Sequence, residues 1–138
     1  MVSEFSLKEA IKRVRELNLC TRPPPIQEAD KVLRLPDKDL EGFLNTLRAI
    51  LEPTRFKILY LLYQSPLPVC VIAYILKQDR TLISHYLTML KKLGLVKVEQ
   101  VKRFNIYSLT EYGVTIVNRV LALQQANTKT NEDQYNQL

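Results

Sequence analysis

Residues 69–109 read VCVIAYILKQDRTLISHYLTMLKKLGLVKVEQVKRFNIYSL, and this stretch decides the fold. Val69 to Leu76 is short and apolar, with Cys70, Ile72, Ala73 and Ile75 inside it, and predicts a short helix. Lys77-Gln78-Asp79 is a three-residue polar turn. Arg80 to Leu93 predicts the next helix, whose apolar stripe is Ile83, Leu87 and Leu90 with Tyr86 beside them. Gly94 supplies the left-handed stop that ends it. Leu95–Val101 and Phe104–Leu109 then read as two strands joined by Lys102-Arg103. Helix, tight turn, helix and basic-tipped hairpin together make a helix-turn-helix followed by a wing.

The chemistry of the outer face suits that shape. A helix lying in a DNA major groove needs one apolar face to dock on its scaffold. Its other face needs small hydrogen-bonding side chains near the bases and cations near the phosphates. Thr81, Ser84 and His85 are of the first kind, Arg80, Lys91 and Lys92 of the second, and Thr88 is a further candidate DNA-binding residue on the same face. Lys102 and Arg103 at the hairpin tip are placed to meet the neighbouring minor groove or backbone. Charge follows the same stretch. Residues 77–103 hold seven cations and two acids, a net +5 out of +6 for the whole chain.

Outward from this stretch, Pro36-Asp37 opens a helix with Leu40, Phe43, Leu44, Leu47, Ile50 and Leu51 on its apolar face. Pro53 suits the first turn of another, from about Thr54 to Tyr63, apolar almost all round and therefore central. Ser65-Pro66-Leu67-Pro68 breaks it. Near the N-terminus, Ser6 and Glu9 have capping-box spacing with Phe5 as a hydrophobic staple. Leu7, Ala10, Ile11, Val14 and Leu17 continue that helix, and Arg22-Pro23-Pro24-Pro25 ends it. Ile26, Ala29, Val32 and Leu33 have the spacing of a further short helix. Residues 1–36 thus read as a helical extension, with a proline-rich break, that packs on something such as a second subunit. Residues 37–125 read as the DNA-binding and dimerisation domain, and residues 126–138 as a disordered polar tail.

Thr110 caps the last predicted helix, Glu111 to about Gln125. Val114, Ile116, Val117, Val120, Leu121 and Leu123 spread over about half its circumference, wider than the roughly 100° stripe that docking on one core needs. The surplus predicts a homodimer with this helix at its centre. The expected interface residues are Leu40, Phe43, Leu44, Leu47, Val114, Val117, Val120 and Leu121.

Composition excludes several classes. At 138 residues, with 25% charged and 46% hydrophobic, the chain is of ordinary globular make-up and long enough to bury a core. No apolar run approaches the roughly 18 residues of a membrane span. Lys8, Lys12, Arg13 and Arg15 interrupt the N-terminal stretch, against a secretory signal, so the expected location is cytoplasmic. Three glycines leave no material for a GxGxxG or P-loop run, and one histidine, His85, leaves little for a catalytic triad. No nucleophile–base–orienter set or metal cluster assembles from this sequence, so neither an enzyme nor a cofactor is expected. Two cysteines, Cys20 and Cys70, make neither a disulfide framework nor a four-thiolate zinc site. Cys70 reads as a small buried hydrophobe. Cys20, before the proline run, is the candidate for a redox-active thiol.

The sequence resembles the ArsR/SmtB family of winged-helix repressors over about Leu47 to Leu109, roughly half of the chain. Leu47 to Leu59, LRAILEPTRFKIL, is similar to the family's "L-ALADPTRLRIL" opening. Ile72-Ala73 falls on "LA", Thr81 to Leu87 on "STVSRHL", Leu93-Gly94-Leu95-Val96 on "AGLV", Arg103 on the wing arginine, and Tyr107-Ser108-Leu109 on the closing strand. Thr110-Glu111-Tyr112-Gly113 looks more like the "LTEKG" start of a MarR-type final helix. The resemblance implies a homodimer on a near-palindromic operator, released by an effector. It also implies DNA contact at Thr81, Ser84, His85 and Arg103. His85 stands in place of an arginine and Tyr86 in place of a histidine. The family's metal sites do not carry over: against "ELCVCD" only Cys70 remains, with Pro68 and Val71 at the other ligand positions. The last predicted helix has no histidine, and Glu111 is its only acid.

The expected fold is mainly α with a small β-hairpin: a winged helix-turn-helix with an N-terminal helical segment and a C-terminal dimerisation helix. The expected function is sequence-specific binding of double-stranded DNA by a homodimeric transcriptional regulator, a repressor by resemblance, whose small-molecule effector is not specified. A winged-helix protein that organises DNA with little sequence preference is the alternative. A protein-contact module has no reason to line its outer face with Arg80, Lys91, Lys92 and Arg103.

Overall fold

The computed structural model describes residues 3–20, 22 and 30–137. The chain divides into two compact units, residues 1–46 and 47–138, and the division falls inside one helix.

In the first unit, β1 (Glu4–Ser6) leads directly into α1 (Leu7–Glu16). Ser6 Oγ accepts from the Glu9 N–H at 3.3 Å, as the capping-box spacing requires. Leu7, Ile11 and Val14 form the half-buried stripe of α1. The expected short helix through Val32 and Leu33 is instead a strand, β2 (Val32–Arg34), antiparallel to β1. The cause is cross-strand pairing: Phe5 stands opposite Leu33, and Arg34 Nε lies 3.1 Å from the carboxylate of its register partner Glu4. The rest of that expected helix, Ile26 and Ala29, and the prolines Pro23, Pro24 and Pro25 lie outside the described residues. The extension is therefore helix plus two-stranded ribbon. α2 (Lys38–Ile50) follows, its first turn capped by Asp37, whose Oδ1 accepts from the Leu40 N–H at 2.9 Å.

The second unit is built on α3 (Pro53–Gln64), with Pro53 at its start and Glu52 as its cap. After it come β3 (Leu67–Pro68), α4 (Val69–Leu76), α5 (Arg80–Lys92), β4 (Val96–Val101), β5 (Phe104–Leu109) and α6 (Glu111–Asn136). The sheet order is β3-β5-β4, all antiparallel. The Ser65–Pro68 breaker thus supplies a short third strand, and Pro68 is tolerated because that strand is at the edge. Lys77 takes the left-handed conformation (φ 54°) that ends α4, and Gly94 does the same (φ 77°) after α5.

One core holds this unit. Ile58 and Leu59 of α3, Ile72 of α4, Ile83, Leu87 and Leu90 of α5, Leu95, and Val117 of α6 are all fully buried. Fully burying a side chain of this size contributes about 1.5–3 kcal/mol. A single corner joins the C-terminal end of α5 to the start of α6. Thr110 Oγ1 donates to the Gly94 carbonyl at 2.6 Å and accepts from the Gly113 N–H at 3.1 Å. The Thr110 N–H donates to the Leu95 carbonyl at 3.0 Å. Gly113 is needed there because a Cβ would overlap the Leu95 carbonyl oxygen.

α6 runs to Asn136, past the Gln125 end expected from its apolar pattern, through residues read as a disordered tail. No glycine or proline interrupts residues 114–137, and the Thr128 and Thr130 hydroxyls donate back to the Gln124 and Ala126 carbonyls. Val117, expected at a subunit interface, is fully buried in the core of its own chain. The helical turn points it inward with Ile116. Val120 and Leu121 pack half-buried against that same core, while Val114, Leu40, Phe43 and Leu44 are exposed and Leu47 is half-buried.

Candidate nucleic-acid interface

α5 carries the candidate reading face. Asp79 caps its N-terminus, Oδ1 accepting from the Thr81 N–H at 3.1 Å. Ile83, Leu87 and Leu90 are fully buried, which fixes the helix's rotation about its own axis. That rotation leaves Arg80, Thr81, Ser84, His85, Thr88, Lys91 and Lys92 exposed, all on the side away from the core. Thr88 is partly committed: its hydroxyl donates to the Ser84 carbonyl at 2.9 Å.

A groove of about 500 Å³ brings part of this face together with the wing. Arg80, Thr81 and Ser84 of α5 line one side of it, and Arg103, Phe104 and Asn105 of the hairpin line another. Pro68, Val69 and Cys70 at the start of α4 complete the lining. The groove therefore gathers four of the expected residues, Arg80, Thr81, Ser84 and Arg103. His85, Thr88, Lys91, Lys92 and Lys102 are exposed but outside it. The hairpin turns tightly at its tip, where Lys102 takes a positive φ of 56° and Val101 pairs with Phe104. None of Arg80, Lys91, Lys92, Lys102 and Arg103 forms an ion pair among the described residues, so their charge is available to an external anion.

Three features of the site were not read from sequence. Cys70, expected to be buried, is a half-buried free thiol in the groove lining; Cys20 is exposed. Phe104 and Asn105 line the groove, whereas alternation assigned them only to a strand. Arg55, on α3, braces α5 from behind: its guanidinium lies 5.4 Å from the centre of the Tyr86 ring and its Nη1 donates to Met89 Sδ at 3.4 Å. Its signal in sequence is absent, because a cation on a helix otherwise apolar all round reads as the solvent side. Glu52 sets the start of the same helix. Its carboxylate accepts from the Arg55 N–H at 2.9 Å and the Thr54 N–H at 3.1 Å. The Arg55 N–H bond is the main cause holding its pKa below the usual carboxylate range, and burial opposes it in part.

Among the described residues no three His, Cys, Asp or Glu side chains come together as a metal site. Among the described residues, no helix is long and apolar enough to cross a membrane.

A three-stranded sheet with a helix-turn-helix and a cationic hairpin defines a winged helix-turn-helix protein. Residues 52–98, from the cap of α3 through α5 into β4, match the model of the family described as bacterial regulatory protein, arsR family. The HTH-type transcriptional regulator NmtR of Mycobacterium tuberculosis is 38% identical over 65 residues, 47% of this chain and 54% of that protein. The chain thus spans about half the length of that curated relative. The fold is also that of HlyU from Vibrio cholerae (22% identity, TM-score 0.57, 64% of this chain and 97% of the other). It is similar to a ZitR variant from Lactococcus lactis (24% identity, TM-score 0.54, 72% and 80% covered). A third similar structure is Mb0332 from Mycobacterium bovis, described as a homodimeric winged helix-turn-helix DNA-binding domain of a possible ArsR-family regulator (24%, TM-score 0.54, 72% and 93%).

Proposed function

We propose that this chain is a homodimeric, sequence-specific regulator of transcription that binds double-stranded DNA and acts as a cytoplasmic repressor. The observation that carries the reading is the groove between α5 and the wing, which gathers Arg80, Thr81 and Ser84 from α5 with Arg103 from the hairpin. A cation on each of the two elements suits the phosphate backbone, and the hydroxyls of α5 suit base edges. His85, Thr88, Lys91 and Lys92 extend the same face along α5, and Lys102 extends it along the wing. The match to the arsR family and the homodimeric description of the Mycobacterium bovis domain support the same reading. The exposed apolar side chains Leu40, Phe43, Leu44 and Val114 support a second copy as partner. A two-fold dimer sets its reading helices about 34 Å apart, which calls for an inverted repeat.

The test is selection of bound sequences from a random duplex pool at near-physiological salt, with sedimentation at micromolar concentration. An enriched inverted repeat and a dimer are expected. Binding without enrichment shifts the reading to DNA organisation, and a monomer that binds no duplex refutes it.

A further inference from the structure

We propose that Phe104 is a wedge that enters a base step of the bound duplex from the minor groove and kinks it. This rests on the DNA-binding reading above and adds deformation of the duplex to it. The hairpin closes as Val101-Lys102-Arg103-Phe104, with Val101 and Phe104 register partners on either side of the turn. Lower in the same ribbon the apolar pairs point home: Val96 and Leu109 are buried, and Val98 and Tyr107 are half-buried. The Val101–Phe104 pair at the tip, an odd number of residues from Val96 and Leu109, lies on the opposite face of the ribbon. Phe104 is 55% exposed and Val101 46%, at the end of the ribbon remote from the core. An aromatic ring left in water there gains nothing for the fold.

Its neighbours say what covers it. Lys102 and Arg103 lie between the two apolar side chains in sequence, and neither has an acidic partner among the described residues. A purely apolar partner would have to bury those two charges, whereas a nucleic-acid duplex offers phosphates for them and flat base faces for the ring. Phe104 also lines the groove that holds Thr81 and Ser84. With α5 in the major groove, the hairpin tip beside it falls over the adjacent minor groove. Apolar wedges inserted there unstack a base step and bend the duplex by roughly 20–90°. Pyrimidine–purine steps yield most easily, so the wedge makes the sequence under the wing matter without a hydrogen bond to any base.

The experiment compares the full-length protein with Phe104→Ala, Phe104→Leu and Arg103→Ala on duplexes recovered from the random-pool selection. Bending is read by gel mobility of circularly permuted fragments, and unstacking by 2-aminopurine placed at each step under the wing. Wild type is expected to bend the duplex by 20° or more, in the range such wedges produce, and to raise 2-aminopurine fluorescence at one step per half-site. Phe104→Ala should abolish both signals and weaken binding about tenfold with its salt slope unchanged, while Phe104→Leu, still apolar, should retain most of the bend. Arg103→Ala should keep the bend and lose salt slope. A wild-type complex that stays straight, or a Phe104→Ala complex bent like wild type, overturns the wedge and leaves DNA binding intact. A wild-type chain that binds no duplex overturns the DNA-binding reading, and the wedge with it.

Discussion

Arg103→Ala gives the most direct measure of the wing's part in binding. Arg103 is exposed and has no ion pair among the described residues, so its removal should change fold stability by no more than about 0.5 kcal/mol. It lines the same groove as Arg80, from the wing, and in the proposed complex it is expected to meet one phosphate per half-site. Each phosphate neutralised contributes about 0.9 to the slope of log affinity against log salt. A fourfold rise in salt, from about 50 to about 200 mM, therefore weakens binding about 3.5-fold for each such contact. A dimer loses two contacts, so its slope should become shallower by about 1.8. Relative to wild type, the variant should regain about 12-fold in affinity over that salt range. Fluorescence anisotropy of a labelled duplex at five or so salt concentrations measures both slopes. Identical slopes would refute the placement of Arg103 on a phosphate, whatever happened to affinity at any single salt.

Other outcomes follow from particular contacts. Ser84→Ala combined with His85→Ala should leave the salt slope unchanged but lower the ratio of specific to random-sequence affinity by tenfold or more, about 1.4 kcal/mol, measured by competition. Gly113→Ala should destabilise the protein by about 1–3 kcal/mol in urea titration, because the new methyl overlaps the Leu95 carbonyl; wild-type stability would mean that the corner relaxes. The Glu52 cap acts at neutral pH. A carboxyl whose pKa is lowered on folding stabilises above its unfolded value, and that contribution disappears as pH falls through the folded value. Glu52→Gln should therefore melt lower than wild type at pH 7, and the gap should close on acidification through the carboxylate range. A gap independent of pH would show that the charge has no part in it.

The helix-turn-helix and wing were legible because each local signal agreed with the others. Ile83, Leu87 and Leu90 fix the face of α5, Gly94 fixes its end, and the strand alternation brings Val96 and Leu109 into the core. The parts that were not legible depend on partners distant in sequence. Val32 and Leu33 continue a helical spacing from Ile26 and Ala29, yet Val32–Arg34 is a strand because Glu4–Ser6 pairs with it. Apolar spacing marked the broad face of α6 but not which of its residues the core would take, so Val117 was placed outside. The polar composition beyond Gln125 concealed a run free of helix breakers. In the site, the cations and hydroxyls were visible as types at helical spacing. Phe104 was not: alternation puts it on the face opposite Leu109, but does not say that nothing else in the chain covers that face, which only its exposure shows. Arg55 was hidden for the reverse reason: its aromatic partner, Tyr86, lies on another helix.

The corner at Thr110 has a mechanical meaning. Two hydrogen bonds, from Thr110 Oγ1 to the Gly94 carbonyl and from the Thr110 N–H to the Leu95 carbonyl, tie the start of α6 to the end of α5, and a third, from the Gly113 N–H to Thr110 Oγ1, closes the first turn of α6. A joint tied twice at one residue, itself locked by the helix cap, behaves as a welded bracket. Tilting α6 against α5 would have to break at least one of these bonds and drive the Gly113 backbone into the Leu95 carbonyl. In the proposed dimer, a displacement applied to the long arm of α6 is therefore delivered to the reading helix with little slack. The 26-residue length of α6 is then leverage: a small rotation at its far end and the angle of α5 are one movement.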